Sequence, residues 1–281
     1  LVVGYLGPAI GWRNCFYLLG CVGLLLAVVM WFIRETPRRH LIKESVTTPP
    51  VPQLSFKQTM TELARALRAS PALVLTIMGG VAFHFILGAA TFDQLWYVNE
   101  RGFERAEIAQ ITGWIGICAG MAGNLFGGLG GDWFLRKTGI GRPMFLFWIM
   151  LILAPINVAY RLVEPDSIWF WVGVAVGFFQ LGCFYGPTFS TVQELVPPQI
   201  RATVVALYIL LLNMAGVAIG VSAAGIYVDH LIVQGDTEPY TTALLYFTMI
   251  SFLAIPLFYA AGRRFDVDRA KLHRQLNADP D

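Results

Sequence analysis

Gly127-Gly128-Leu129-Gly130-Gly131-Asp132-Trp133-Phe134-Leu135-Arg136-Lys137, with Gly139 and Arg142 just behind it, joins two strongly apolar segments through a glycine-rich, charged corner. Small residues let two helices approach closely where lipid, not water, surrounds them. Asp132 is placed to face the positive end of a neighbouring helix. Basic residues directly after an apolar run hold such a corner on the cytoplasmic side of a membrane. The corner therefore reads as a short connection between two membrane helices.

Composition agrees. Of 281 residues, 56% are hydrophobic and 14% charged, far from the make-up of an ordinary water-soluble domain. The four cysteines (Cys15, Cys21, Cys118, Cys183) all lie in apolar segments without metal-ligand spacing, so they read as small buried residues. The sequence opens without Met inside an apolar pattern, which reads as a fragment and not as a signal peptide.

Outward from the corner, the chain divides by hydropathy. Leu1–Pro8 reads as the tail of a membrane helix, and Cys15–Ile33 is long enough to span a hydrocarbon core of about 20 residues. Arg34 to Arg39, with Pro37, ends that span. Residues 34–71 are the one long polar stretch, with three prolines between Thr47 and Pro52 reading as an extended linker. Ser55-x-x-Gln58 is a capping box. It precedes Phe56, Met60, Leu63 and Leu67 at helical spacing, an amphipathic helix that either lies on the membrane surface or docks on other loops. Spans are then expected over Ala72–Val98, Glu107–Gly131, Pro143–Tyr160, Ile168–Ser190, Ala202–Tyr227 and Thr241–Ala261, followed by an exposed, charged tail at 262–281.

Charge fixes the orientation. Arg13, Arg101, Arg105 and Arg161 fall on one side of these spans, and the other sixteen of the twenty Lys and Arg fall on the opposite side. That asymmetry makes the sixteen-residue side cytoplasmic, with the C-terminus on it. The reading is an all-α integral membrane protein with seven full spans and the remnant of one.

Gly128-x-x-x-Asp132 with following basic residues resembles the short cytoplasmic loop motif of major facilitator superfamily transporters, although that family spaces its Asp, basic residue and Gly more tightly than Trp133–Thr138 allows. The resemblance implies the C-terminal half of a twelve-helix fold. Residues 1–33 would be the end of helix five and helix six, 34–71 the linker between halves, 72–261 a six-helix bundle and 262–281 a cytoplasmic tail. The first four helices and most of the fifth would lie outside the chain. Glu194-Leu195-Val196-Pro197-Pro198-Gln199-Ile200-Arg201-Ala202-Thr203, with Phe92-Asp93-Gln94-Leu95-Trp96-Tyr97-Val98, is similar to the bacterial Spinster-like branch. That branch is linked to proton-coupled lysolipid or sphingolipid export, with proton-coupling residues largely in the half absent here.

Candidate residues follow from cost. Asp93 lies inside the outer end of its span, where an unpaired carboxylate is expensive. It either serves a water-filled substrate or proton pathway, or forms a stabilising ion pair with Arg101 or Arg161. His84, nearer the middle, is either a neutral ring bonded to a carbonyl or a titratable cavity group. Along this span His84, Gly88, Thr91 and Leu95 share one face, and Phe83, Leu87, Ala90 and Gln94 another; the sequence does not decide which faces the cavity. Gln180 and Asn213 are mid-span amides, suited to interhelical hydrogen bonds or to substrate, with Phe184 and Tyr185 a possible wall for an acyl chain. Gly128, Asp132, Arg136, Glu194 and Arg201 form the expected cytoplasmic gating motif. The rows Gly123/Gly127/Gly131, Gly116/Gly120/Asn124 and Gly216/Gly220/Ala224 read as close-packed helix faces.

No zinc-protease motif, Walker loop or nucleophile elbow occurs, so an enzyme is not expected, and neither is a cofactor, a metal or nucleic acid. The expected activity is secondary active transport of a lysolipid-like or other amphiphilic small molecule by alternating access, in a bacterial inner membrane and as a monomer. A sugar or organic-anion symporter is the first alternative. A non-transporting membrane receptor or scaffold is the second.

Overall fold

The computed structural model describes residues 2–33 and 55–278. The stop sequence and proline-rich linker expected at 34–54 lie outside the described residues. Twelve α-helices are present among those described: α1 Val2–Ile10, α2 Trp12–Trp31, α3 Phe56–Ala69, α4 Pro71–Ala89, α5 Asp93–Asn99, α6 Arg105–Thr138, α7 Arg142–Ala159, α8 Ile168–Glu194, α9 Arg201–Leu211, α10 Ile219–Gln234, α11 Pro239–Ser251 and α12 Ala254–Ala278. Six continuous runs are long and apolar enough to cross a membrane: Trp12–Trp31, Pro71–Asn99, Arg142–Leu162, Ile168–Glu194, Pro198–Gln234 and Pro239–Leu276. The glycine-rich α6 is also long enough, at 34 residues, but less apolar.

Glycine decides how α6 packs. A Cβ on Gly123 would lie 2.1 Å from the Phe179 carbonyl oxygen, one on Gly127 2.5 Å from that of Cys183, and one on Gly182 2.4 Å from that of Gly120. The backbones of α6 and α8 thus touch, the close approach expected of small-residue faces. The Gly216/Gly220 row does the same against α4, where a Cβ on Gly216 would meet the His84 Cβ at 2.5 Å. Its neighbourhood differs from the expected plain helix, because Leu212–Ala218 forms a π-helical turn between α9 and α10.

Three boundaries correct the sequence reading. α6 runs past Gly131 to Thr138, so Asp132 and Arg136 sit on its last turns and the corner shrinks to Gly139–Gly141. Nothing breaks the helix before Gly139, which caps it at φ 71° in the left-handed region. The expected span Thr241–Ala261 is broken at Phe252–Leu253. Pro256 has no N–H to give to Phe252, and its ring crowds that carbonyl. The expected exposed tail from Gly262 continues α12 through Ala278, with Phe265 and Asp268 buried. Asp268 Oδ2 accepts from the Ala72 amide (2.8 Å) and the Ser70 hydroxyl (3.0 Å), so the last helix caps the first helix of the bundle.

The Ser55/Gln58 capping box forms at the start of α3. That helix docks on the bundle, burying Leu63 with Met60, Ala66 and Leu67 packed beside it, while Phe56 stays exposed. Along α2 only Cys15 is buried among the described side chains, leaving an apolar, unpartnered surface over the rest of its length.

Candidate functional site

The first long span of the bundle does not run straight. After α4 a 3-10 turn, Ala90–Phe92, changes the helical phase, and α5 restarts at Asp93. The Thr91 hydroxyl donates to the Gly88 carbonyl (2.6 Å) at this step. A second 3-10 turn, Tyr160–Leu162, ends α7 and turns Arg161 inward. Arg161 Nη1 meets Asp93 Oδ1 at 3.1 Å, with Arg161 only 3% exposed. The guanidinium also lies over Trp96 (5.1 Å) and Tyr160 (4.9 Å). Of the two cations that the sequence offers Asp93, Arg161 is the partner. Isolating either charge here would cost several kcal/mol, roughly 3–5 for breaking a buried pair.

This pair lines a cavity of about 140 Å³, bounded by α4, α5, α7, α8 and α11. Phe83, Leu87, Phe178, Leu181 and Phe252 give it apolar walls; Tyr97, Tyr160, Asn157, Gln180, Thr248 and Ser251 give it polar ones. Of the two α4 faces, the one with Phe83, Leu87 and Ala90 lines the cavity, although Gln94 turns away to Thr112, 3.5 Å from its hydroxyl. Gln180 accepts from Asn157 Nδ2 at 2.5 Å. Asn157 is not among the candidates above, yet a mid-span amide two residues after Pro155 carries the same signal as Gln180.

A polar junction backs the pair. Glu100 takes the Tyr240 and Thr241 amides at 2.6 and 2.8 Å and the Thr241 hydroxyl at 2.7 Å, filling the open donors at the start of α11. Arg101 Nη2 donates to the Arg161 carbonyl (2.7 Å) and to Thr241 Oγ1 (3.1 Å), and Trp96 Nε1 donates to the same oxygen (2.8 Å). Thr241 therefore joins α5, the α5–α6 connection and α11.

The other expected residues separate from this cavity. His84 is buried on the opposite face of α4; its Nδ1 pairs with the Gly80 carbonyl (2.8 Å), which makes it the donor and leaves Nε2 to accept from Tyr185 Oη at 3.5 Å. That is the neutral, carbonyl-bonded arrangement, with Phe83, Phe184 and Tyr185 packed around the ring. Asn213 is exposed on the π-helical turn and donates to the Ile209 carbonyl (2.9 Å) of its own helix.

At the opposite end of the bundle, Arg142 holds two acids: Nε donates to Asp132 Oδ1 (2.8 Å) and Nη1 to Glu194 Oε1 (2.6 Å). Arg136, expected in that role, bonds only the Asp132 carbonyl (3.3 Å) among the described residues and is exposed. Arg201 is exposed on the first turn of α9, and Gly128 has open space beside it. Among the described residues no cluster of three His, Cys, Asp or Glu side chains is placed to hold a metal ion.

Known proteins bear on this arrangement. The chain is 26% identical over 234 residues to an MFS-type efflux pump of Mycolicibacterium smegmatis (strain ATCC 700084 / mc(2)155), an alignment covering 81% of this chain and 51% of the pump. It thus spans about half the length of that relative. Two crystal structures of a bacterial homolog to the human lysosomal transporter Spinster, both inward-facing, one unoccupied and one occupied, superpose with TM-score 0.67. Their identities are 18% and 19%, with 95% of this chain and 63% and 62% of those chains covered, which establishes a shared fold. Residues 1–221 match the family model of the Major Facilitator Superfamily, a family of transporters and not of enzymes. On that match, joined to the close-packed glycine helices and apolar spans, the chain belongs to the Major Facilitator Superfamily.

Proposed function

We propose that the chain forms the C-terminal half of a twelve-helix secondary active transporter that moves an amphiphilic, lysolipid-like small molecule by alternating access, coupled to protons. Residues 1–33 supply the end of the first half, 34–71 the connecting segment, 72–261 the second six-helix bundle and 262–281 the terminal segment. The partner surface is the N-terminal half of the same protein, and one copy suffices. The excess of Lys and Arg at the Asp132 end supports a cytoplasmic C-terminus in a bacterial inner membrane.

One observation carries this reading: a cavity with aromatic and aliphatic walls also contains a buried ion pair, Asp93–Arg161. Apolar walls suit an acyl chain, and a carboxylate whose partner can be exchanged suits a proton. Ligand pockets that enclose a whole small molecule occupy roughly 300–1,000 Å³. This cavity is smaller, consistent with half of a site that two halves complete. The efflux pump and the Spinster homolog lend support by likeness.

The test is the full-length protein in liposomes under an imposed pH gradient, following a fluorescent lysophospholipid in wild type, Asp93→Asn and His84→Ala. Gradient-driven movement lost in Asp93→Asn and kept in His84→Ala is expected. No lipid movement alongside uptake of a radiolabelled organic acid would replace this reading with the organic-anion symporter, which Arg161 in the cavity wall favours as the second choice.

A further inference from the structure

Sequence position puts Arg161 among the loop cations, but the fold makes it a wall of the cavity. Among the described residues it is the one basic residue there, and Asp93 the one acidic residue. Nη1 is committed to Asp93, and the guanidinium makes no other hydrogen bond among the described residues; its Nε is fully enclosed, so the end that can meet a ligand is the Nη1/Nη2 edge. A buried guanidinium held through a single contact is under-satisfied, and a planar or tetrahedral oxyanion that accepts from both Nη nitrogens at once satisfies it better. Asp93 meets it through one oxygen. The other nearby carboxylate, Glu100, is occupied by the start of α11 and is no rival.

We infer that the cavity is a head-group subsite for an acid: the substrate carries a phosphate or carboxylate that binds Arg161 in place of Asp93, with its apolar part along Phe83, Leu87, Phe178 and Phe252. This rests on the reading of the cavity as a substrate site. Asp93 is then an internal stand-in that keeps Arg161 paired between substrates and sets the affinity for the acid. Volume agrees, because about 140 Å³ holds a head group and the first carbons of a chain but not a whole lipid. The buried position of Arg161 predicts selectivity for the acid: a zwitterion brings a cation that has no acidic partner in this wall other than Asp93 itself.

Binding separates this inference from transport. Full-length protein in lipid nanodiscs is titrated calorimetrically, against empty nanodiscs, with decyl phosphate, with decylphosphocholine of the same chain length and with butyl phosphate. Decyl phosphate is expected to bind more tightly than decylphosphocholine. Asp93→Asn should tighten the acid about tenfold, on the scale of one charge-assisted hydrogen bond, and should not tighten the zwitterion, whose cation loses the one carboxylate it could meet. The double variant Asp93→Asn/Arg161→Gln leaves no isolated charge, so it retains the fold and should lose the preference. Butyl phosphate binding as tightly as decyl phosphate would keep the acid subsite and assign it to small organic anions. An acid-to-zwitterion ratio that Asp93→Asn does not move, or that survives in the double variant, overturns the inference, as does absence of acid binding. Acid preference without movement in liposomes would sink only the transport reading; movement of the zwitterion without acid preference would sink only this one.

Discussion

Arg142 and Asp132 lie ten residues apart across the end of α6 and meet at 2.8 Å, and Arg142 reaches on to Glu194 at the end of α8. The contact ties three helix ends together through one side chain, whereas Arg136, nearer in sequence, leans back on its own helix. Asp132 is about half exposed, so its share is discounted for solvent screening. Glu194 is more enclosed, and its Oε2 has no partner among the described residues.

Replacing Arg142 with Gln should therefore destabilise the bundle by about 1–2 kcal/mol, most of it from Glu194. Arg136→Gln should stay within ~0.5 kcal/mol. Thermal unfolding of the detergent-solubilised protein measures both, and equal effects would contradict the geometry.

Gly127 and Gly128 are neighbours with opposite surroundings. A Cβ on Gly127 meets the Cys183 backbone, whereas one on Gly128 meets nothing within 4 Å. Gly127→Ala should cost on the order of 1–3 kcal/mol by forcing α6 and α8 apart. Gly128→Ala should be neutral, or stabilising by roughly 0.5–1 kcal/mol through helix propensity. Only Gly127→Ala should lower the melting temperature.

The Asp93–Arg161 pair predicts non-additivity. Each single change, Asp93→Asn or Arg161→Gln, isolates a buried charge, so each should destabilise more than the double variant, with a coupling of about 1–3 kcal/mol. A double-mutant cycle on unfolding midpoints reads this directly. Additive effects would mean that the pair contributes no mutual stabilisation.

Asp268→Ala removes the carboxylate that caps α4 and should cost about 1–2 kcal/mol. Because the Ala72 amide loses its acceptor, its hydrogen exchange should accelerate more than that of amides in the middle of α4. Mass-spectrometric exchange of a peptide covering 70–76 distinguishes this from global destabilisation.

The spans were legible because length and apolarity dictate a membrane helix almost alone. The Ser55/Gln58 box marked a helix start correctly, since capping is a local bond. What the sequence hid was which side of a helix turns where. The 3-10 step at Ala90–Phe92 rotates everything after it, so Gln94 left the face it shared with Phe83 and Leu87 while Asp93 entered the cavity. Arg161 looked like a loop cation because hydropathy cannot register that α7 ends by curling inward. Pro256 is the visible sequence signal for the break after Ser251. The π-helical turn at Leu212–Ala218 had no comparable marker: Gly216 permits the close approach to His84, but the same glycine would serve an ordinary helix.

The cap on α4 also carries a clock. Asp268 follows Ala72 by 196 residues, which at roughly 5–20 residues per second of synthesis separates their emergence by about 10–40 seconds. During that interval Ser70, whose hydroxyl accepts the Leu73 amide at 3.2 Å, is the local cap that α4 has. The first helix of the bundle thus waits, held by a provisional serine cap, until the last helix arrives to finish it.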